Sequence, residues 1–503
     1  MQEKILALHD LSRIVADCRR QSQRIVQCHG VFDLLHIGHI RYLQSAKQLG
    51  DILLVTVTPD RFVNKGPHRP AFEERLRVQA LAALDCVDYV CLSPSPTACE
   101  SLQALKPDIY VKGAEYRNQK TAELLAEEAV AASLGVQVQF IEDYTSSSTH
   151  LINHYLSPFP EEADRYLAKM RKQYSAPELL KRFGRARELR VLVVGEAILD
   201  EYVRCATLGQ AAKSANVVGR YLSHERYLGG ALAVANHLAA FCREVRLLSM
   251  LGTVDPNEDW IRQRLRAPVR AEFVYKPESP TILRRQFRED YFNTVLFEID
   301  SLNETPLGAK GSHELLELFH ELVANVDLVV AADYGHGMLG AAALEQLCAR
   351  SPYLAVSAPA NAANLGYHTI SKYRRADYVS LAEQELRLDR RDRTGELPDL
   401  LGELADDLNT QVATVTEGSR GCMCHGGSAD LIRAPALATR IVDRHGAGEA
   451  FLAVTSLCAA LQLSLEELAF LGNVAGAEAV AVVGNSVFLE DVPFQRHVAS
   501  LLK

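Results

Sequence analysis

From Asp51 to Thr58 the chain reads DILLVTVT, an almost unbroken β-prone run. Such a strand has no polar face to turn to water, so both faces must be covered, which is the habit of a parallel sheet with helices packed on either side. The surrounding sequence alternates accordingly. Arg24–Cys28 is a short strand leading into Gly30, and residues 38–49 show helical recurrence at Ile40, Leu43 and Ala46. A helix is predicted over 73–84, strands over Val87–Leu92 and Ile109–Val111, a helix over 120–133, a strand over Val136–Ile141 and a closing helix over 148–156.

With 503 residues the chain exceeds what one hydrophobic core normally supports, so at least two domains are expected. The first spans residues 1–157. Residues 158–188, charged and containing Pro158, Pro160 and Pro177, read as a connector with one or two polar helices. A new β-prone run, Leu189–Val194, opens a second domain over residues 189–503, with further strands at Val326–Ala332, Ala376–Leu381 and Val412–Thr416. Both domains are therefore predicted to be α/β.

The formal net charge of −9 argues against broad nucleic-acid binding while leaving room for a local phosphate pocket. No apolar run of about eighteen residues is present to span a membrane. The opening Met1–Arg20 has acidic residues and no apolar core before a small-residue cleavage site, which predicts no secretion signal. The eleven cysteines are scattered, form no paired ligand clusters and read as reduced thiols of a cytoplasmic protein. No protein-bound metal site is predicted.

The strongest local signal is Gly30-Val31-Phe32-Asp33-Leu34-Leu35-His36-Ile37-Gly38-His39. A strand ends near Gly30 and a helix begins near Gly38, so both histidines can face one pocket beside a helix N-terminus. Free N–H groups and the local field there favour phosphate oxygens. Imidazole donors can stabilise charge developing on a reacting phosphorus and on a pyrophosphate leaving group. An isolated histidine pair would equally suit satisfied structural groups or metal ligands.

The whole segment resembles the HxGH nucleotidyltransferase superfamily, in its cytidylyltransferase-like branch. That resemblance implies a Rossmann-like doubly wound sheet, with His36 and His39 on the triphosphate and Gly30, Phe32, Asp33 and Gly38 around the nucleotide. Asn64–Pro70, Glu74-Arg75 and Val111–Tyr116 resemble the nucleotidyltransferase part of bifunctional heptose-phosphate enzymes. The resemblance gives Lys65 a catalytic, charge-neutralising role, Arg75 and Lys112 phosphate or substrate contacts, and Ser147, Ser148 and Thr149 a place in the triphosphate site. Where that family commonly has Thr-Asn before its glycine, this chain has Cys28-His29. Cys28 is read as a pocket or core residue.

The second domain resembles the ribokinase-like, or PfkB, carbohydrate kinases. Gly195–Asp200 matches their opening strand with a sugar-contacting aspartate, Asp200, and Gly229-Gly230-Ala231 with Asn236 matches the sugar-binding segment. Residues 281–300 match the substrate lid, Asp333-Tyr334-Gly335-His336-Gly337 the DYxKG segment, and Thr416–Gly421, with Thr416 and Gly418, the nucleotide-side loop. The late motif is Asp443-Arg444-His445-Gly446-Ala447-Gly448-Glu449. The resemblance makes Gly446, Ala447 and Gly448 the cradle of the transferred phosphate and puts Glu449 where active relatives carry an aspartate base. The extra methylene moves the carboxylate by roughly 1.5 Å, and His336 stands in the usual lysine place. These departures favour a degenerate kinase domain that binds a ligand or supports a dimer over an active one.

The leading expectation is thus a nucleotidyltransferase joining a nucleoside triphosphate, ATP or CTP with Mg2+, to a sugar phosphate with release of pyrophosphate. A bifunctional sugar kinase/nucleotidyltransferase is the first alternative, and a nucleotide- or sugar-binding sensor or scaffold the second. The expected partners are these small molecules and a second copy in a homodimer, with no nucleic acid and no membrane. The domain order is the reverse of that in the heptose enzymes.

Overall fold

The computed structural model describes residues 2–63, 70–114, 122–141, 159–291, 293–427 and 430–503. The chain divides into two compact units, Met1–Pro158 and Phe159–Lys503. Among the described residues no helix is long and apolar enough to cross a membrane.

The N-terminal unit is built on five parallel strands: β1 (Ile25–Gly30), β2 (Ile52–Val57), β3 (Tyr89–Leu92), β4 (Ile109–Gly113) and β5 (Gln137–Ile141). Their order is β3-β2-β1-β4-β5. The β-prone run Asp51–Thr58 contains β2, and Leu53, Leu54, Val55 and Val57 in it are fully buried, as a strand covered on both faces requires. Helices Ile37–Lys47, Glu74–Ala82, Cys99–Leu105 and Ala122–Ser133 make the crossovers. Helix Leu8–Arg20 precedes the sheet and buries Leu11, Val15 and Cys18. Strand order reverses between β1 and β4. In open α/β sheets the crevice beyond the carboxyl ends of the strands at such a switch point is where ligands bind. Gly30 ends β1 and Gly113 ends β4, so the predicted histidine segment and Lys112 lie at that crevice.

The C-terminal unit starts earlier than Leu189. The stretch expected to act as a connector carries helices Glu161–Gln173 and Ala176–Phe183. Their apolar residues Ala163, Leu167, Met170, Leu179 and Phe183 belong to the core of this unit. The segment looked polar because only one stripe of each helix faces inward.

Strands follow as β6 (Arg190–Gly195), β7 (Ala197–Gln210), β8 (Val217–Gly229), β9 (Glu244–Val254), β10 (Val269–Pro280), β11 (Ile282–Glu289), β12 (Thr294–Ser301), β13 (Leu328–Ala332), β14 (Leu354–Ser357), β15 (Tyr378–Ala382), β16 (Val412–Thr416), β17 (Cys422–Gly426) and β18 (Leu431–Ala434). Nine form one sheet in the order β10-β9-β6-β13-β14-β15-β16-β17-β18, and four form a second in the order β12-β11-β7-β8. The large sheet is parallel except at β16–β17–β18. Its order reverses between β6 and β13, so Glu196 and Asp333 follow adjacent strand ends at a second switch point. Helices Ala447–Ala460 and Leu465–Ala479 are apolar almost all round because they are buried nearly all round.

Candidate active sites

In the N-terminal unit His36 is the N-cap of helix Ile37–Lys47, its Nδ1 accepting from the backbone N–H of Gly38 at 3.1 Å. That bond requires the proton of the neutral ring to sit on Nε2. Nε2 is buried with no hydrogen-bond partner among the described residues, and burial lowers the imidazole below its ordinary range. His36 is therefore a neutral donor beside a helix N-terminus. The His39 ring lies 4.0 Å from it, centroid to centroid, and Phe32 meets His39 edge-on at 5.6 Å. Phe32 adopts φ +47°, a left-handed conformation in which the chain turns out of β1.

The other expected residues divide. Asp33 is buried and accepts from the backbone N–H groups of Ala71 and Phe72 at 2.5 and 3.3 Å, tying that segment to the histidine segment. Lys112 pairs with buried Glu127 at 2.8 Å. Glu127 also accepts from Tyr110 and from the Ala98 N–H, each at 2.8 Å. Against the upward push of burial, these contacts hold the Glu127 carboxyl below its ordinary range. Arg75 is exposed and lines a separate cavity of about 480 Å³ with Asp60, Arg61 and Glu73. Lys65, Ser147, Ser148 and Thr149 lie outside the described residues.

At the unusual Cys28-His29 pair, Cys28 is fully buried in the core, where burial pushes its thiol up to about 12. His29 bridges the Thr56 and Thr58 hydroxyls at 2.9 and 3.3 Å, and burial pushes its imidazole down to about 4. One residue escaped the sequence reading. Arg77 is fully buried and donates to the carbonyls of Phe72, Val31 and Thr58 and to Asp60. It fastens the segment after β1 to the loop after β2. Its only sequence signal was its position two residues after Arg75.

In the C-terminal unit Glu196, just past β6, is fully buried, and burial and the Asp333 charge push its carboxyl upward. It accepts from the N–H groups of Tyr334, His336 and Met338 at 2.9, 3.1 and 3.4 Å, shaping the loop after β13. Asp333 in that loop is held by Lys372 at 2.6 Å and the Tyr373 hydroxyl at 2.7 Å. Tyr334 donates from its hydroxyl to Glu449 Oε1 at 3.1 Å.

Glu449 lies in the first turn of helix Ala447–Ala460, whose N-cap is Gly446 at φ +87°. That left-handed backbone favours glycine, and a Cβ there would also collide with the Asn485 amide. Ala447 and Gly448 thus present N–H groups at the start of a fourteen-residue helix.

Asp200 on β7 faces the same region. A Cβ on Gly229 would collide with its carboxylate, so glycine there leaves the space the aspartate occupies. Burial pushes the Asp200 carboxyl up to about 6, with Glu449 adding to the rise and Arg284 opposing it. The Arg284 guanidinium lies 5.6 Å from the Tyr334 ring.

Gly230, at φ +58°, opens helix Gly230–Leu238. Asn236 is on that helix, fully buried, with both amide atoms bonded to the backbone of Arg264 and Arg266. It anchors a loop from inside the protein. Thr416 ends β16, its hydroxyl donating to the Leu381 carbonyl at 3.4 Å, and Gly418 follows in a short turn. Arg284, Gln286 and Arg288 were not anticipated. Their alternation along β11 is the period of a strand, which puts all three toward one face.

The cytidylyltransferase-like family model matches residues 28–154 and the pfkB family carbohydrate kinase model residues 188–491. The bifunctional protein HldE of Trichlorobacter lovleyi is 41% identical over 155 residues, covering 30% of this chain and 31% of that protein. The HldE of Helicobacter pylori strain J99 is 42% identical over 144 residues, covering 28% and 29%. The matched stretch is thus about a third of those relatives' length. Phosphofructokinase-2 from Escherichia coli, in complex with substrates and products, shares the fold of the larger unit, with a TM-score of 0.52, 15% identity, and coverage of 63% of this chain and 100% of that one.

Proposed function

The chain belongs to the pfkB family of carbohydrate kinases, and on that premise we propose a bifunctional enzyme. Its C-terminal domain phosphorylates a sugar, and its N-terminal, cytidylyltransferase-like domain joins a nucleoside triphosphate to a sugar phosphate, giving a nucleoside-diphosphate sugar and pyrophosphate. The observation that carries the reading is the pairing of a helix N-terminus with a reactive side chain in each domain: His36 before helix Ile37–Lys47, and Glu449 in the first turn behind Gly446.

In the kinase step a sugar hydroxyl oxygen attacks the γ-phosphorus of ATP. Its proton passes to Glu449, the bond to the departing ADP breaks, and the N–H groups of Ala447 and Gly448 receive the transferring phosphoryl oxygens. Asp200 accepts from the sugar, while Thr416 and Gly418 border the nucleotide. In the transferase step a phosphate oxygen of the sugar phosphate attacks the α-phosphorus of ATP or CTP, and the bond to pyrophosphate breaks. No protein nucleophile is needed. His36 donates from Nε2 to the charge that builds up, with His39, Lys65, Lys112 and the Ser147–Thr149 segment completing the nucleotide site.

Among the described residues no group of three His, Cys, Asp or Glu side chains is placed to hold a metal ion. Mg2+ enters the reading as part of the Mg–nucleotide substrate, neutralising phosphate charge. A homodimer fits the same reading, because Phe297 and Ile299 stand exposed on β12 with Phe287 stacked on Phe297 at 4.6 Å. The free state of all the cysteines suits a cytoplasmic enzyme.

The test is incubation with ATP, CTP, GTP and UTP and a panel of sugars and sugar phosphates, with ADP and pyrophosphate measured separately and products weighed by mass spectrometry. Both releases are expected. Ligand binding without either release would return the chain to the sensor reading.

A further inference from the structure

The sheet β12-β11-β7-β8 carries an unusual charge pattern on the face it turns to the kinase site. Strand register sets Asp200, Arg284 and Asp300 in one row across β7, β11 and β12, and Tyr202, Gln286 and Glu298 in the next. Residues directly opposite in register share a face. Arg284 lies against Tyr334, whose hydroxyl holds Glu449, so this face and Glu449 border one space.

The cations of this face are largely committed. Arg288 pairs with buried Asp443 at 3.0 Å and stacks over the Tyr202 ring at 3.7 Å. His445 bonds the same Asp443 at 2.8 Å and meets Gln286 at 3.0 Å. Gln286 in turn donates to Glu298 at 2.6 Å. Arg204 lies near Glu225 and Asp290 at 3.8 and 3.6 Å. Among the described residues, Arg284 is the one of these cations that faces the carboxylates of Asp200, Glu298, Asp300 and Glu449 without a dedicated ion pair. Burial pushes the imidazole of His336 beside the site down to about 4, and among the described residues its Nδ1 has no hydrogen-bond partner.

We propose that the kinase site selects sugars that carry no phosphate, neutral or amine-bearing, and rejects phosphorylated ones. This deepens the proposed kinase reading and rests on it. Carboxylates accept hydrogen bonds from hydroxyl and ammonium groups, so the face is complementary to a polyol or an amino sugar. A phosphate dianion would meet several carboxylates, Asp200 and Glu449 half-buried and Glu298 and Asp300 exposed, and like charges repel. The acceptor hydroxyl then attacks the γ-phosphorus of ATP as described above, and the phosphate enters the sugar at this step instead of arriving with it.

The experiment offers the full chain Mg–ATP with mannose, ribose, glucosamine, mannose 6-phosphate or ribose 5-phosphate. ADP release is read alongside the thermal shift that each sugar produces in the Glu449→Gln variant. The unphosphorylated sugars are expected to turn over, and to shift the melting temperature, at concentrations at least tenfold lower than their phosphates. The Glu298→Arg variant is expected to narrow that ratio at least tenfold, with pyrophosphate release by the other domain unchanged. A preference for the phosphates overturns the inference and leaves the kinase reading standing. Selective thermal shifts by unphosphorylated sugars without ADP release sustain the selectivity and remove the kinase reading. Neither turnover nor shift with any sugar overturns both.

Discussion

The hydroxyl of Tyr334 donates to Oε1 of Glu449 across 3.1 Å, linking the loop after β13 to the first turn of helix Ala447–Ala460. The longer side chain that distinguishes Glu449 from an aspartate thus has a specific seat. A base acts only within hydrogen-bond reach of its proton, so what fixes the carboxylate matters as much as its length. Glu449→Gln is expected to lower the kinase kcat by about 10²- to 10⁴-fold while pyrophosphate release is unchanged. Tyr334→Phe should cost about tenfold, through loss of one hydrogen bond to a charged group. Equal ADP release by wild type and Glu449→Gln would exclude the base role.

His36→Ala should depress pyrophosphate release by about 10²- to 10³-fold, the usual cost of one donor to a developing oxyanion. Its ring donates from Nε2 in the neutral state, and burial already disfavours the cation, so the rate should not follow imidazolium titration between pH 6 and 8. A rate that falls as the pH rises through 6.5 would contradict that donor state.

Asp200 predicts a pH effect with a definite sign. Its carboxyl is pushed up to about 6 in the folded protein, from an ordinary 3.8. Below about pH 6 it becomes protonated, so the sugar KM should rise roughly tenfold per unit as the pH falls further. In stability the sign reverses. Above pH 6 the buried charge is a penalty that the unfolded chain escapes, so Asp200→Asn should stabilise the protein at pH 8 by about 3 kcal/mol. That gain should fade between pH 6 and 4, as measured by denaturant unfolding.

Arg77 is a structural prediction. Its guanidinium holds three carbonyls and Asp60 in a fully buried position. Arg77→Met leaves those acceptors unpaired and should destabilise the N-terminal domain by about 3–5 kcal/mol. Calorimetry should show a lower first transition with the larger domain's transition in place.

Phe297→Asp places a charge on the exposed apolar face of β12 and should shift the protein from dimer to monomer in sedimentation. An unchanged mass would move the proposed dimer contact elsewhere.

The periodic elements are legible in the sequence alone. β2, the helices after β1 and β2, and the strand opening the larger domain follow from continuous apolar runs and helical spacing, which are local properties. The glycine-marked segments around His36 and Glu449 were equally plain, because a tight turn before a helix leaves a local signature. Helices Glu161–Gln173 and Ala176–Phe183 were harder to place, since narrow apolar stripes in charged sequence do not say which core will cover them.

Lys112 shows where local reading ends. Its place at the end of β4 was visible, but its ion pair with Glu127 joins residues that only the packing of helix Ala122–Ser133 brings together. Asn236 looked like a sugar contact and is tied by both amide atoms to the backbone of a loop. The sequence by itself determined two α/β domains, their glycine-marked helix starts and the chemical types of the groups beside them. Tertiary structure decided which charges face one another: the row Asp200–Arg284–Asp300, the clasp of Tyr334 on Glu449 and the burial of Arg77. The reason is that strand order, register and loop closure bring together residues far apart in the chain, and the strength of a charge depends on the neighbours and the water it keeps once folded.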